Sequence, residues 1–252
     1  MGFYDLSKSE RVQLVNTINR EIYEAVSSTQ LNGIHPYFSD EDTYIRKTAY
    51  LSIGKLYRTT EEVRTKILEI LDILLKSDNP KIRQTTINTA GEIGMQNFEV
   101  VRQFFEVGLF DDHHSVRNAV IGSVKKMAAK NPTPTLKWAK NYLEHPDKEI
   151  RREICHGIEL RGRTHPQDIL PLLEKLQHDK TLRVRNTLIH VLGQIAYKKG
   201  CLETVIGALK TWEDTELVRS ALDEIVDVHH RYAKFAFFSQ QQVITYIDQN
   251  FS

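Results

Sequence analysis

Residues 145–166, HPDKEIRREICHGIELRGRTHP, contain the side chains of this sequence best suited to hold an anion. Guanidinium and imidazole groups donate hydrogen bonds to phosphates and carboxylates. Within 14 residues the segment has Arg152, His156, Arg161, Arg163 and His165. This concentration indicates an anion- or phosphate-binding site.

The same segment places charge where a helix is expected to be buried. Glu153, Gly157 and Arg161 are spaced i, i+4 and i+8, so they share one helix face, and equivalent positions elsewhere in the chain are mostly apolar or small. Burying an unpaired charge is costly. Two interpretations follow: Glu153 and Arg161 form an internal ion pair, or both line a ligand cleft.

This segment is one copy of a repeated unit. Six arginines that each follow Val or Ile are 37, 34, 34, 34 and 34 residues apart, and each has an Asp four to six residues upstream. A fixed period of this length is typical of a solenoid, in which each unit packs against its neighbours. The arginines are therefore interpreted as structural: Arg46, Arg83, Arg117, Arg151, Arg185 and Arg219.

Local signals predict where helices begin and end. Ser7 and Glu10 have the spacing of a capping box, which predicts a first helix to about Val26. Thr59 to Glu62 is predicted to start a later helix, and a last helix is predicted from Gln240 to Phe251 with Ser239 as its N-cap. The chain is thus expected to be an all-α solenoid of about six helix pairs plus a terminal helix, with residues 1–252 as a single domain.

Composition narrows the class of protein. Charged residues are 27% of the chain and the net charge is +1, which neither requires nor excludes a nucleic-acid partner. Apolar runs are too short to cross a membrane, and the start of the chain has no secretory h-region. Cys155 and Cys201 have no metal-binding spacing, and no cofactor-binding motif is present. A cytoplasmic protein with no metal, no cofactor and no membrane partner is expected.

A polar stripe is predicted along the second helix of each pair. It falls at positions +1, +5, +9 and +13 from each repeat arginine and has six Lys or Arg against two Glu, a local excess of +4. One interpretation is an ordinary solvated face. The other is a nucleic-acid-binding surface, because amides and imidazoles hydrogen-bond to phosphates and base edges. With the two arginines at the end of the fourth unit, the residues predicted to bind are Lys126, Lys130, Arg152, His156, Arg161, Arg163, Asn186, His190, Gln194 and Lys198.

The pattern of Asp, then Val/Ile-Arg, then small or apolar residues resembles HEAT repeats. It is seen in IRKTAYLSIGKL and VRNTLIHVLGQI, and the resemblance covers about Asp40 to His230. It implies a right-handed superhelix of helix pairs with the second helix of each pair on the concave side. It also implies that each repeat Arg bridges to the Asp of an adjacent repeat.

The segment HPDKEIRREICHGIELRGR also resembles the HEAT-like bacterial alkylpurine-DNA glycosylases of the DNA alkylation repair family. Arg151 and Arg152 match an arginine pair, Gly157 matches a Gly, and Arg161 with Arg163 approximate an Arg-rich turn. His156 stands where that family has an acidic residue. The resemblance implies DNA as a partner.

The leading functional hypothesis is a binding module whose concave face holds DNA. One alternative is an alkylpurine-DNA glycosylase, in which Glu159 or Glu153 would stabilise the cationic sugar. The other is a scaffold that binds a protein in the concave groove. For the DNA hypothesis, six candidate phosphate contacts predict that log affinity falls with log salt at a slope of about −3 to −5.

Overall fold

A computed structural model describes residues 2–251, and these residues form helices and connecting turns with no β-strand among them. Packing divides the chain into two compact units, residues 1–123 and 124–252, with the boundary inside one helix. The prediction of a single domain and the count of six repeats stay predictions. Within the described residues, no helix is both long and apolar enough for a transmembrane segment.

The N-terminal unit contains six α-helices of the described chain and the first part of a seventh. Their bounds are α1 (Lys8–Ser28), α2 (His35–Ser39), α3 (Thr43–Thr59), α4 (Arg64–Leu75), α5 (Pro80–Gly94), α6 (Arg102–Gly108) and α7 (His114–Lys130). Helix α3 packs against α1 and α5, and α5 packs against α4 and α6. The core of the unit is aliphatic and aromatic, with Ile53, Ile67, Leu71, Phe104 and Phe105 all buried.

Of two helix starts that were predicted from capping signals in the N-terminal unit, one is confirmed and the other is wrong. Ser7 Oγ accepts from the amide of Glu10, and the Glu10 carboxylate accepts from the amide of Ser7, so the predicted capping box is confirmed. The predicted start at Thr59 is wrong. Thr59 ends α3, and a 3₁₀ turn at Glu61–Val63 precedes α4, because the chain must reverse direction before the next helix can form.

The C-terminal unit contains the last part of α7 and the remaining helices. Their bounds are α8 (Pro132–Lys140), α9 (Lys148–Gly157), α10 (Glu159–Gly162), α11 (Leu170–Leu173), α12 (Leu182–Gln194), α13 (Cys201–Leu209), α14 (Thr215–Arg231) and α15 (Gln240–Phe251). Helix α12 packs between α9 and α14, and α14 packs against α15. The last helix has the predicted bounds, and Ser239 and Gln242 cap its start reciprocally.

The six repeat arginines occupy equivalent helices, as predicted. They lie on α3, α5, α7, α9, α12 and α14. Three of them bridge to an Asp 28 or 29 residues downstream, in the pairs Arg83–Asp111, Arg151–Asp179 and Arg185–Asp214. The same guanidiniums also donate to backbone carbonyls of the turn that precedes their helix, as Arg151 does to the His145 carbonyl at 2.7 Å. Each bridged arginine thus ties a helix start to the following repeat.

A break between α9 and α10 shapes the region around the cationic segment. Helix α9 ends at Gly157 and α10 starts at Glu159, followed by a 3₁₀ turn at Pro166–Asp168. Gly162 allows this short helix to pack closely, since a Cβ there would lie 2.3 Å from Ile169 Cδ1 and 2.7 Å from Ile195 Cγ2. The tight packing fixes the direction in which the side chains of α10 point.

Candidate functional site

The candidate site is built around a buried carboxylate. Glu159, at the start of α10, has only 1% of its side chain exposed. Its Oε2 lies 3.2 Å from Lys125 Nζ of α7 and 3.1 Å from His156 Nε2 of α9. Its Oε1 accepts from Arg163 Nε at 2.8 Å and also from Arg163 Nη2. Three basic side chains therefore enclose one acid.

These contacts determine the charge of the carboxyl. Burial alone would raise the pKa of Glu159, because water stabilises the ionised form. The positive charges of Lys125 and Arg163, with the hydrogen bond from Arg163, oppose the effect of burial and hold the pKa well below its usual range. Glu159 is therefore an anion at any physiological pH, and its surroundings are positive.

Lys125, His156 and Glu159 form a close triangle. Lys125 Nζ is 2.8 Å from His156 Nε2, so all three pairs of atoms lie within 3.2 Å of one another. An ammonium group has donors only. His156 Nε2 must consequently present a lone pair to Lys125, and the proton of a neutral ring must be on Nδ1. The ammonium is held by one nitrogen lone pair and one carboxylate oxygen.

A second histidine lies beside this triangle. His190 of α12 has its ring centroid 6.1 Å from that of His156. Ligand-type atoms of His156, Glu159 and His190 all lie within 4.8 Å of one another. His190 also lies near Glu224 of α14, with its Nδ1 3.5 Å from Glu224 Oε1.

A shallow pocket of about 520 Å³ opens over α9 and α12, next to the buried carboxylate. No acidic side chain is among the described residues that line it. Five of the lining side chains carry nitrogen groups that can donate hydrogen bonds, and they are Arg152, His156, Arg183, Asn186 and His190. Leu182 and Thr187 complete the lining. The pocket therefore presents donors to solvent while Glu159 lies beneath them.

The first of the two interpretations, an ion pair between Glu153 and Arg161, is wrong. Arg161 donates through Nε to Asp168 at 2.7 Å, and its Nη2 lies 2.6 Å from the same carboxylate. Glu153 is confined, as expected, with 3% of its side chain exposed, but its carboxylate lies 3.4 Å from Arg152. The physical reason is the break at Gly157, which interrupts the i, i+4, i+8 face and turns Arg161 toward the 3₁₀ turn that holds Asp168.

The structure also revises the expected exposure of two predicted residues. Arg163 was expected at an exposed helix end, but it is held by Glu159 and donates to Gln194 Oε1 at 2.9 Å. Gln194 was expected on the polar stripe and is instead 1% exposed. Its Nε2 has no hydrogen-bond partner among the residues described here. The stripe of α12 turns into the interior at its last turn, where α10 and its following loop cover it.

The ten predicted binding residues all lie in the C-terminal unit, but they do not form one set. Arg152, His156, Asn186 and His190 line the pocket. Arg161, Arg163 and Gln194 are engaged inside the protein, as described above. Lys130 is exposed at the end of α7, Lys126 is half-buried, and Lys198 lies 4.8 Å from the centre of the Tyr197 ring. Their role in binding stays a prediction.

Sequence reasoning missed Lys125, Glu159 as the buried centre, and Arg183. The repeat period contains a signal for all three. Lys125 and Glu159 are 34 residues apart, as are His156 and His190. Residues one period apart occupy the same position on successive repeats, so they meet where those repeats pack together. Arg183 has the same signal, because it lies 34 residues after Glu149, its ion-pair partner.

Comparisons with known proteins show the fold. No protein-family model matches the chain, and no curated protein sequence matches it. Among solved structures, AlkD2 from Streptococcus mutans superposes with a TM-score of 0.56 at 15% identity, over 79% of this chain and 97% of that one. The Pseudomonas fluorescens alkylpurine DNA glycosylase AlkC, bound to DNA containing an abasic site analog, gives 0.50 at 14% identity, over 85% of this chain and 62% of that one.

A further solved structure is similar to the same degree. A chain from the structure of Kap95p with RanGDP gives a TM-score of 0.50 at 16% identity, over 93% of this chain and 35% of that one. The fold is therefore an all-α arrangement of HEAT-like helical repeats, similar to the fold of the AlkD2 and AlkC structures. At these identities the similarity establishes the fold and nothing finer.

Proposed function

We propose that the C-terminal unit binds DNA through the pocket on α9 and α12, and that it does so without glycosylase chemistry. The observation that carries the proposal is the lining of the pocket, in which guanidinium, imidazole and amide donors converge without an acidic side chain among the described lining residues. Donors of these kinds make most contacts to phosphate and base edges in protein–DNA interfaces. The similarity in fold to DNA-bound AlkC supports the choice of DNA.

The contribution of each arginine follows from its existing contacts. Arg152 and Arg183 share the carboxylate of Glu149, at 2.9 and 3.0 Å. Arg183 can turn from it toward a phosphate. Arg152, whose Nη2 also faces the buried Glu153, can offer its Nη1 without leaving either carboxylate. Arg161 and Arg163 are engaged with Asp168 and Glu159 and contribute little. The cations left for phosphates are Arg152, Arg183, Lys130 and Lys198. Three or four phosphate contacts give a salt slope of about −3, at the shallow end of the slope predicted from sequence.

A glycosylase needs a carboxylate that reaches the lesion. Glu159 and Glu153 are 1% and 3% exposed, and each is directed at a cation of the protein. Exposing either one would leave charges such as Arg163 without a partner, which is costly. The buried position of both carboxylates therefore favours binding over catalysis.

The test is a titration of a labelled DNA duplex by fluorescence anisotropy between about 50 and 200 mM salt. Wild type is expected to show a slope of about −3, and Arg183→Ala a slope shallower by about 0.9 with weaker binding. Arg102→Ala removes an exposed, ion-paired arginine of α6 and serves as the matched control, with no expected change.

Two results would overturn the proposal. A slope near zero, or equal losses in Arg183→Ala and Arg102→Ala, would remove the DNA site and favour a protein partner for the module. Release of a methylated purine from alkylated DNA by wild type would show that the protein is a glycosylase.

A further inference from the structure

We propose that His156, Glu159 and His190 form a binding site for one divalent transition-metal ion of the zinc type. This site does not depend on the proposed DNA binding, and it can be tested without DNA. Two imidazoles and one carboxylate are a ligand set that zinc accepts in proteins.

Two of the three ligand atoms already have the spacing of a metal site. His156 Nε2 and Glu159 Oε2 are 3.1 Å apart. Atoms at about 2.0–2.2 Å from a tetrahedral ion lie roughly 3.3–3.6 Å from each other, so this pair needs to open by only a few tenths of an ångström. The third ligand, His190, lies within 4.8 Å of both, and its side chain is 43% exposed in the open pocket. A change of its side-chain torsions can close the remaining distance without moving the backbone.

The two fixed ligands are in the protonation state that a metal needs. Metals bind ionised carboxylates and neutral imidazoles. The Glu159 carboxylate contacts the cationic side chains of Lys125 and Arg163, which favour its charged form. His156 Nε2 offers its lone pair, as shown by the ammonium of Lys125 at 2.8 Å. Arg163 holds the other oxygen of Glu159 and so orients the carboxylate, as outer-shell groups do in metal sites.

Lys125 occupies the place of the ion. Its ammonium contacts both His156 Nε2 and Glu159 Oε2. The positive charge of Lys125 therefore lies where the metal ion would bind. The side chain is only a quarter exposed but ends a flexible stem, so it can leave when a metal enters. The positive charge of Lys125 repels an incoming metal ion. Removing that charge should therefore strengthen metal binding, an effect that a purely structural cluster would not show.

The experiment is isothermal titration of the full chain, without a histidine tag, with zinc chloride near neutral pH. Wild type is expected to bind one ion per chain. His190→Ala should bind about tenfold or more weakly, and since His190 is partly exposed this variant should still fold. Lys125→Met should bind about tenfold tighter. Thermal melts with and without zinc should rank the three proteins in the same order of zinc affinity.

The matched control is a histidine–glutamate pair on the surface. His178 Nε2 lies 3.2 Å from Glu213 Oε2, close to the spacing of His156 and Glu159, but both residues are exposed. His178→Ala should leave the affinity for zinc unchanged. The proposal is overturned if wild type shows no one-to-one binding, if only Lys125→Met binds zinc, or if His190→Ala and His178→Ala lose affinity equally.

Discussion

Arg151→Ala tests the most regular feature of the fold, the bridge between a repeat arginine and the Asp of the next repeat. Arg151 donates through Nε to Asp179 at 2.5 Å and through Nη2 at 3.2 Å, and its Nη1 donates to the carbonyls of His145 and Pro146. The substitution removes all of these bonds at once. It leaves Asp179 charged and enclosed.

The expected loss of stability follows from burial. The side chains of Arg151 and Asp179 are 15% and 5% exposed, so this is a buried pair. Removing one partner of a buried pair costs about 3–5 kcal/mol. Asp179 keeps the amide of Thr181 at 2.8 Å, which still stabilises its charge. The lower end of the range, about 3 kcal/mol, is therefore expected.

Urea denaturation at neutral pH measures the difference in the free energy of unfolding between wild type and Arg151→Ala. Another repeat arginine provides the control. Arg219 has the same position in its repeat but is exposed. Arg219→Ala should change the free energy of unfolding by only about 0.5 kcal/mol. Equal destabilisation by the two substitutions would refute the view that the buried bridge, rather than the arginine side chain itself, stabilises the repeat.

Acid adds a second check on the same pair. Burial alone would raise the pKa of Asp179, but hydrogen bonds from Arg151 and Thr181 outweigh burial and lower it. A folded pKa below the unfolded value means that the stabilisation is present above pH about 4 and is lost as pH falls through the folded pKa. The difference in the free energy of unfolding between wild type and Arg151→Ala should therefore become smaller in acid. A difference that stayed constant would contradict the assigned pair.

Two further substitutions probe the site and its packing. Glu159→Gln, measured by thermal and urea unfolding in buffer with a chelator, should destabilise folding by about 3 kcal/mol, because Lys125 and Arg163 keep their charges beside a neutral amide; unchanged stability would show that the cluster contributes nothing to folding. Gly162→Ala should cost about 2 kcal/mol through overlap with Ile169. Gly207→Ala, which meets no atom within 4 Å, should instead stabilise α13 by about 0.5–1 kcal/mol.

Much of the fold could be predicted from sequence because its signals are local and repeated. The spacing of the arginines predicted that all six lie on equivalent helices, because each repeat packs against its neighbours through the same kinds of residues. The capping box at Ser7 and the cap at Ser239 were readable because each involves residues only three apart. The 3₁₀ turn at Glu61–Val63 was not readable, because it depends on how the chain reverses between two packed helices.

The charge pairs of the fourth repeat could not be predicted in the same way. The i, i+4, i+8 argument assumed one straight helix through Glu153, Gly157 and Arg161. The helix breaks at Gly157, and the break gives Arg161 a different partner, Asp168. Which acid neutralises which base depends on a local change of backbone direction, and the helical period alone does not contain that information.

Buried carboxylates such as Glu159 neutralise much of the positive charge in residues 145–166. From sequence, the arginines and histidines of this segment form a concentration of positive charge that would attract phosphate by charge alone. In the structure, Arg152, Arg161 and Arg163 each have a carboxylate partner, so most of that charge is compensated inside the protein. What remains at the surface is an arrangement of donors with a modest net charge. Any ligand of this pocket must therefore be selected by the positions of those donors, through hydrogen bonds or metal coordination, rather than by long-range attraction.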